Sequence, residues 1–122
     1  MPALLVFLGG GFGALARYGL AVWIGPADLL RGGFPWATFA ANTLACILLG
    51  IGVALGARGM LDRSGQLFLL TGFCGGFSTF STYALEAQTQ VRGGMTGAGL
   101  LYVTASILVG VGVLWLVTHL LR

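Results

Sequence analysis

Charge is what these 122 residues have least of: 7% are Asp, Glu, Lys or Arg, against about a quarter in soluble domains. Lysine is absent. Arg17, Arg31, Arg58, Arg63, Arg92 and Arg122 supply every basic side chain, and Asp28, Asp62 and Glu86 are the only acids. A net charge of +3 spread this thinly forms no basic patch, so no nucleic-acid partner is expected. His119 is the one histidine, and Cys46 and Cys74 do not form a Cys-x-x-Cys pair. Neither a zinc site nor a His-based catalytic centre can be assembled within one chain from that set. No nucleophile, base and acid converge, so the chain is not expected to be an enzyme. Both cysteines fall inside apolar segments and read as small buried hydrophobes rather than a disulfide. No basic region precedes the first apolar run, so a cleaved signal peptide is not expected.

What the chain does have is apolar length: 57% of it is hydrophobic. That composition identifies one integral membrane domain. Four apolar segments, at about 2–24, 36–57, 66–91 and 96–119, are each long enough to cross a ~30 Å hydrocarbon core. Turn residues and charges interrupt them at 25–35, 58–64 and 92–95. The expected fold is therefore all-α, with four transmembrane helices. The expected location is the cell's inner (plasma) membrane, crossed several times.

The third segment holds the least ordinary stretch, GFCGGFSTFSTYALE at 72–86. Gly75 and Gly76 sit among Ser78, Thr79, Ser81 and Thr82, with Phe77, Phe80 and Tyr83 between them. Glycine costs about 1 kcal/mol relative to alanine inside a helix, and nearby hydroxyls can take over backbone groups that a distorted turn releases. A broken helix is the reading this favours, and in lipid a break survives only where its backbone faces protein, water or an ion. A tightly packed helix, whose glycines only permit close approach, fits the same spacing.

Polar residues recur along single faces of the other segments. Thr38, Asn42, Cys46 and Gly50 follow by fours in the second, and Ala98, Tyr102, Ser106 and Gly110 do so in the fourth. Thr79, Thr82, Tyr83 and Glu86 make a comparable stripe beyond the break. Asn42 must satisfy four hydrogen-bonding positions in lipid, either as glue between helices or because something polar passes it. Glu86, the one acid within a span, is a functional candidate that could also reach interfacial water. In the first segment Gly9 with Gly13, and Gly10 with Ala14, allow another helix to come close. Arg17 follows on the Gly9 and Gly13 face, either as an interfacial anchor or as an attractor of anions. With four spans, loop arginines divide three against two or three between the two sides, so neither insertion direction is favoured and an antiparallel homodimer follows as a hypothesis.

Three motifs resemble the Fluc (CrcB-type) fluoride channels: GGGFGALARY at 9–18, the stretch from Thr38 to Asn42 followed by Gly50, and GFCGGFSTFST at 72–82. They occur in the family's order over nearly the whole chain. The resemblance implies a dual-topology antiparallel homodimer in membrane lipid, two pores that export fluoride passively, and a structural sodium ion on the two-fold axis. It assigns sodium to backbone carbonyls of Gly75 and Ser78, and pore aromatics to Phe80 and Tyr83. Asn42 matches the family's pore asparagine, and Tyr102 and Ser106 its fourth-helix polar track. Thr38, Thr82, Glu86 and Arg17 match further positions along the fluoride path. The chain departs from the pattern at Tyr83, where phenylalanine is usual, at Ser78, where threonine is, and at Gly110, often a serine. The alternative is a small multidrug-type exporter, also of dual topology. Its proton coupling needs a glutamate in the first span, where this chain has Arg17 and no acid.

Overall fold

The computed structural model describes residues 1–122, and every regular element in it is helical. Helix α1 is Pro2–Ile24, α2 is Trp36–Ala57 and α6 is Thr96–Leu120, and these three are long and apolar enough to cross a membrane unbroken. Pro2 opens α1, where its missing N–H costs nothing. Gly25 ends it at φ 86°, a left-handed conformation that glycine adopts without strain.

The third segment is in pieces. Asp62 caps it by accepting from the Gly65 N–H at 2.9 Å, and it runs through α3 (Arg63–Gln66), a π-helical stretch (Leu67–Cys74) and α4 (Gly75–Phe77). Ser78 and Thr79 are extended, after which α5 (Phe80–Arg92) begins with the Thr79 hydroxyl accepting from the Thr82 N–H. A break near the middle of this segment was the favoured expectation, but its residues differ from the expected ones. Gly75 is itself helical, at φ −64° and ψ −37°. The chain leaves the helix at Ser78, ψ 157°, in a conformation any residue can adopt, so the glycines are not what permits the turn. The π-helical run ahead of the break has no counterpart in the sequence expectation either.

The glycines serve packing instead. A Cβ on Gly13 would strike the Phe73 carbonyl, and one on Gly76 would strike the Gly10 carbonyl. So α1 lies backbone to backbone against the first half of the third segment, as the small-residue spacing at 9–13 anticipated. That half also touches α2, and α2 packs along α6. Beyond the break α5 turns onto α6, where Gly99 gives Ala87 and Gln90 room to approach. The break thus transfers the third segment from α1 to α6.

Two cross-links identify the ends of the bundle. Arg58 donates to the Leu121 carbonyl at one end. At the other, the fully buried Gln90 donates through Nε2 to the Gly33 carbonyl at 2.8 Å, tying the connection at 25–35 to α5. Phe34 fastens the same connection by packing its ring against Trp36, Phe39 and Tyr102 at centroid distances of 4.5, 5.2 and 5.4 Å. Only 16 of the 122 residues are buried, and large apolar side chains such as Phe7, Trp23, Leu108 and Trp115 stand exposed. One copy in water could not sustain such a surface, so lipid or further protein covers it.

Candidate functional site

The extended residues at the break are held by a neighbouring helix. Asn42, on α2, accepts the Thr79 N–H at Oδ1 (2.7 Å) and donates through Nδ2 to the Thr79 carbonyl (3.1 Å). Its amide therefore does what a neighbouring β-strand would do, satisfying both backbone groups of one residue. Arg17 performs a similar service on the other side, donating from Nε to the Gly76 carbonyl at 3.2 Å. Its charge stays beside the cavity described next.

That cavity, of about 500 Å³, is walled by Arg17, Thr38, Thr79, Thr82 and Glu86, with the connection from Gly25 to Leu29 on its far side. Both carboxyl oxygens of Glu86 are hydrogen-bonded there: Oε1 accepts from the Thr38 hydroxyl at 2.8 Å and Oε2 from the Tyr102 hydroxyl at 2.7 Å. The carboxylate joins α2, α5 and α6 at one point. A charge-assisted hydrogen bond of this kind is about twice as strong as a neutral one, which holds the three hydroxyl-bearing faces in register.

A second cavity, of about 330 Å³, lies beyond the break and is lined by Asn42, Cys46, Ser78, Phe80, Tyr83 and Ser106, among others. Thr79 contributes to both cavities. Tyr83 stacks edge-on to Tyr102 at 5.2 Å and lies 5.7 Å from Phe80, so an aromatic row runs from the Glu86 cluster to the second cavity. The Tyr83 hydroxyl donates to the Val103 carbonyl at 3.3 Å. It is therefore turned into α6, and the donor that the departure from phenylalanine adds does not point into the cavity. Ser106 differs: its Oγ is buried and has no hydrogen-bond partner in the chain. A buried hydroxyl in that state costs about 1–3 kcal/mol unless something occupies its donor and acceptor positions.

The nine residues expected along a path lie around two cavities that share Thr79, a track of polar and aromatic side chains. Arg17, Thr38, Thr82 and Glu86 surround the first cavity, Asn42, Phe80, Tyr83 and Ser106 the second, and Tyr102 connects them. The stripe expected on α5 divides between the two cavities, with Thr82 and Glu86 on the first, Tyr83 on the second and Thr79 on both. Gln90 was not anticipated, although it continues the stripe one turn past Glu86. Nor was Cys46 expected to line a cavity.

At Gly75 and Ser78 the backbone carries donor-poor carbonyls. The Thr79 N–H that would serve Gly75 in a continuous helix goes to Asn42, and the Thr82 N–H that would serve Ser78 goes to the Thr79 hydroxyl. Nothing within the chain lies within 4 Å of a Cβ placed on Gly75. Two freed carbonyls on an open face suit a hard cation with oxygen ligands, and no cluster of His, Cys, Asp or Glu offers an alternative.

Comparison with known proteins gives the chain's relatives. The chain is 42% identical over 107 residues to the fluoride-specific ion channel FluC of Thermus thermophilus, covering 88% of this chain and 83% of that one. It is 39% identical over 108 residues to the FluC of Phocaeicola vulgatus, with 88% of each chain covered. The FluC of Acidobacterium capsulatum shares 39% over 117 residues, covering 95% of this chain and 92% of its own. The family model described as CrcB-like protein, Camphor Resistance (CrcB), matches residues 4–118, and the chain belongs to that family.

Proposed function

We propose that this chain is a fluoride-selective ion channel that lets fluoride leave the cell down its gradient, working as an antiparallel homodimer with one track per subunit. The Ser106 hydroxyl carries the proposal: it is buried and unpartnered, and Ser106 lines a cavity together with Asn42, whose amide keeps one N–H beyond its bond to Thr79. Fluoride is small and strongly hydrated, so its path must supply donors that replace water at nearly equal energy. Donors already engaged elsewhere would not. The relatives' printed specificity for fluoride supports the same anion.

Arg17 would raise the local anion concentration at the first cavity, and the edges of Phe80 and Tyr83 would present partial positive charge in the second. In the dimer the carbonyls of Gly75 and Ser78 would meet their copies across the axis and hold a sodium ion between them. Such an ion would balance the negative ends of four carbonyl dipoles in a low-dielectric setting and fix the break. The exposed position of Gly75 and the bare surface around Phe80, 79% exposed, favour a second copy on this face.

Liposomes containing the purified protein and loaded with fluoride should release it once an ionophore balances charge, while chloride-loaded liposomes release little. Retention of fluoride under those conditions would remove the proposal, and equal release of chloride would remove the selectivity.

A further inference from the structure

A third large cavity lies away from the track, at the end of the bundle where α2 and α6 finish together. It measures about 490 Å³ and is lined by Val53, Ala54, Ala57, Arg58, Leu121 and Arg122, with Thr118 at its inner wall. The walls are divided by chemistry. Val53, Ala54 and Ala57 on α2, with Leu121 just past the end of α6, make an apolar side, and Arg58 and Arg122 stand at the outer end with no acidic side chain among the lining residues.

We propose that this groove binds an anionic phospholipid, its phosphate between the two guanidinium groups and the start of an acyl chain along Val53 and Ala54. Helix ends alone would argue against an anion here, because α2 and α6 both direct carbonyls at this corner and carry roughly half a negative charge each. Arg58 answers that field directly. Its Nη2 donates to the carbonyls of Leu121 and Arg122, which neutralises the end of α6 and holds the guanidinium across the groove mouth. Nε and Nη1 of Arg58 have no partner in the chain, and the Arg122 side chain makes no hydrogen bond. The two guanidinium groups stand at the groove mouth, and the Arg122 carboxyl group, one of whose oxygens Arg58 already engages, is the anionic group beside them.

The Thr118 hydroxyl is turned back to the carbonyls of Leu114 and Trp115, leaving the inner wall without a free donor, as an acyl chain requires. A basic pocket between transmembrane helices, opening sideways on an apolar wall, is the arrangement that recognises acidic headgroups. A soluble anion would gain nothing from the Val53 side. Val53 is itself half exposed, so the groove opens toward the lipid.

The test is native mass spectrometry of the full-length protein released from mixed detergent micelles holding equal amounts of phosphatidylglycerol and phosphatidylcholine. Phosphatidylglycerol should be retained roughly tenfold over phosphatidylcholine, and the ratio should fall to near one in the Arg58→Gln/Arg122→Gln double variant. Arg63→Gln, which alters a separate small cavity, should keep the native ratio. Should the double variant not fold, Arg122→Gln alone removes the guanidinium that fastens nothing, and its ratio should drop severalfold. Equal retention of the two lipids by the native protein would overturn the proposal. So would an Arg63→Gln loss as large as that of the double variant, or displacement of the bound lipid by millimolar inorganic phosphate. None of these readouts depends on fluoride flux, so the groove and the channel can fail separately.

Discussion

Asn42 and Tyr83 show how far a side chain's partner changes its meaning. The Asn42 amide fastens Thr79 through both of its backbone groups, so gluing the break and lining a cavity fall to one position. In Asn42→Asp one carboxylate oxygen can still accept from the Thr79 N–H, but the other faces the Thr79 carbonyl. That mismatch should lower stability by about 1–3 kcal/mol, and the negative charge should bring fluoride efflux down to the rate of protein-free liposomes. Thermal unfolding and efflux measured on one preparation would check both, and native flux would confine Asn42 to fastening. Tyr83→Phe should do far less. It removes a hydroxyl that points to the Val103 carbonyl rather than into the cavity, so the expected loss is about 0.5–1.5 kcal/mol of stability with fluoride flux and chloride rejection intact. A large change in flux in that variant would mean that the hydroxyl leaves Val103 when an ion is present.

Among the elements, the broken third segment depends on what lies on either side of it. Gly13 and Gly75 sit near the same break and should respond in opposite ways. A methyl on Gly13 meets the Phe73 carbonyl within the chain, so Gly13→Ala should destabilise the fold by about 1–3 kcal/mol, read from the melting temperature in detergent. A methyl on Gly75 meets nothing in its own chain. Gly75→Ala should leave helical content unchanged and instead reduce the dimer fraction on size-exclusion chromatography, together with flux. Native behaviour of that variant would show that Gly75 faces lipid. Gln90 governs the connection at 25–35, which walls the first cavity. Gln90→Leu leaves the half-buried Gly33 carbonyl without its partner, and amide hydrogen exchange across 25–35 should quicken while that of α2 does not. Unchanged exchange there would leave Phe34 as the sufficient anchor.

At the scale of the whole molecule the charges say little about direction. Arg58, Arg63 and Arg122 stand at one end, and Arg31 and Arg92 at the other, with Arg17 at the first cavity. Since loop arginines orient membrane proteins through their asymmetry, both orientations should be found in one membrane. A single cysteine at the C-terminus, in a variant lacking Cys46 and Cys74, should be labelled from both faces of intact vesicles. Two lysines added to the connection at 58–62 should shift labelling to one face and lower flux. Labelling of the unshifted chain from one face only would contradict the antiparallel dimer.

The sequence by itself determined the four apolar segments, since α1 and α2 begin and end where hydropathy changes, and it determined which faces are polar, because a period of about four residues is visible without coordinates. It also located the break to within a few residues, through Gly75, Gly76 and the hydroxyls that follow. The tertiary structure decided what that stretch does. Extended backbone at Ser78 and Thr79 is stable in lipid only because Asn42, thirty-seven residues away, supplies the missing partners, and local composition cannot show a partner so distant. The same holds for the bond from Arg17 to Gly76, for the meeting of Thr38, Glu86 and Tyr102, and for the two arginines brought together where α2 and α6 end. Periodicity assigns a residue to a face of its own helix. Which other helix that face meets depends on how the helices pack, and here glycines in α1 and the third segment set the packing by letting two backbones touch.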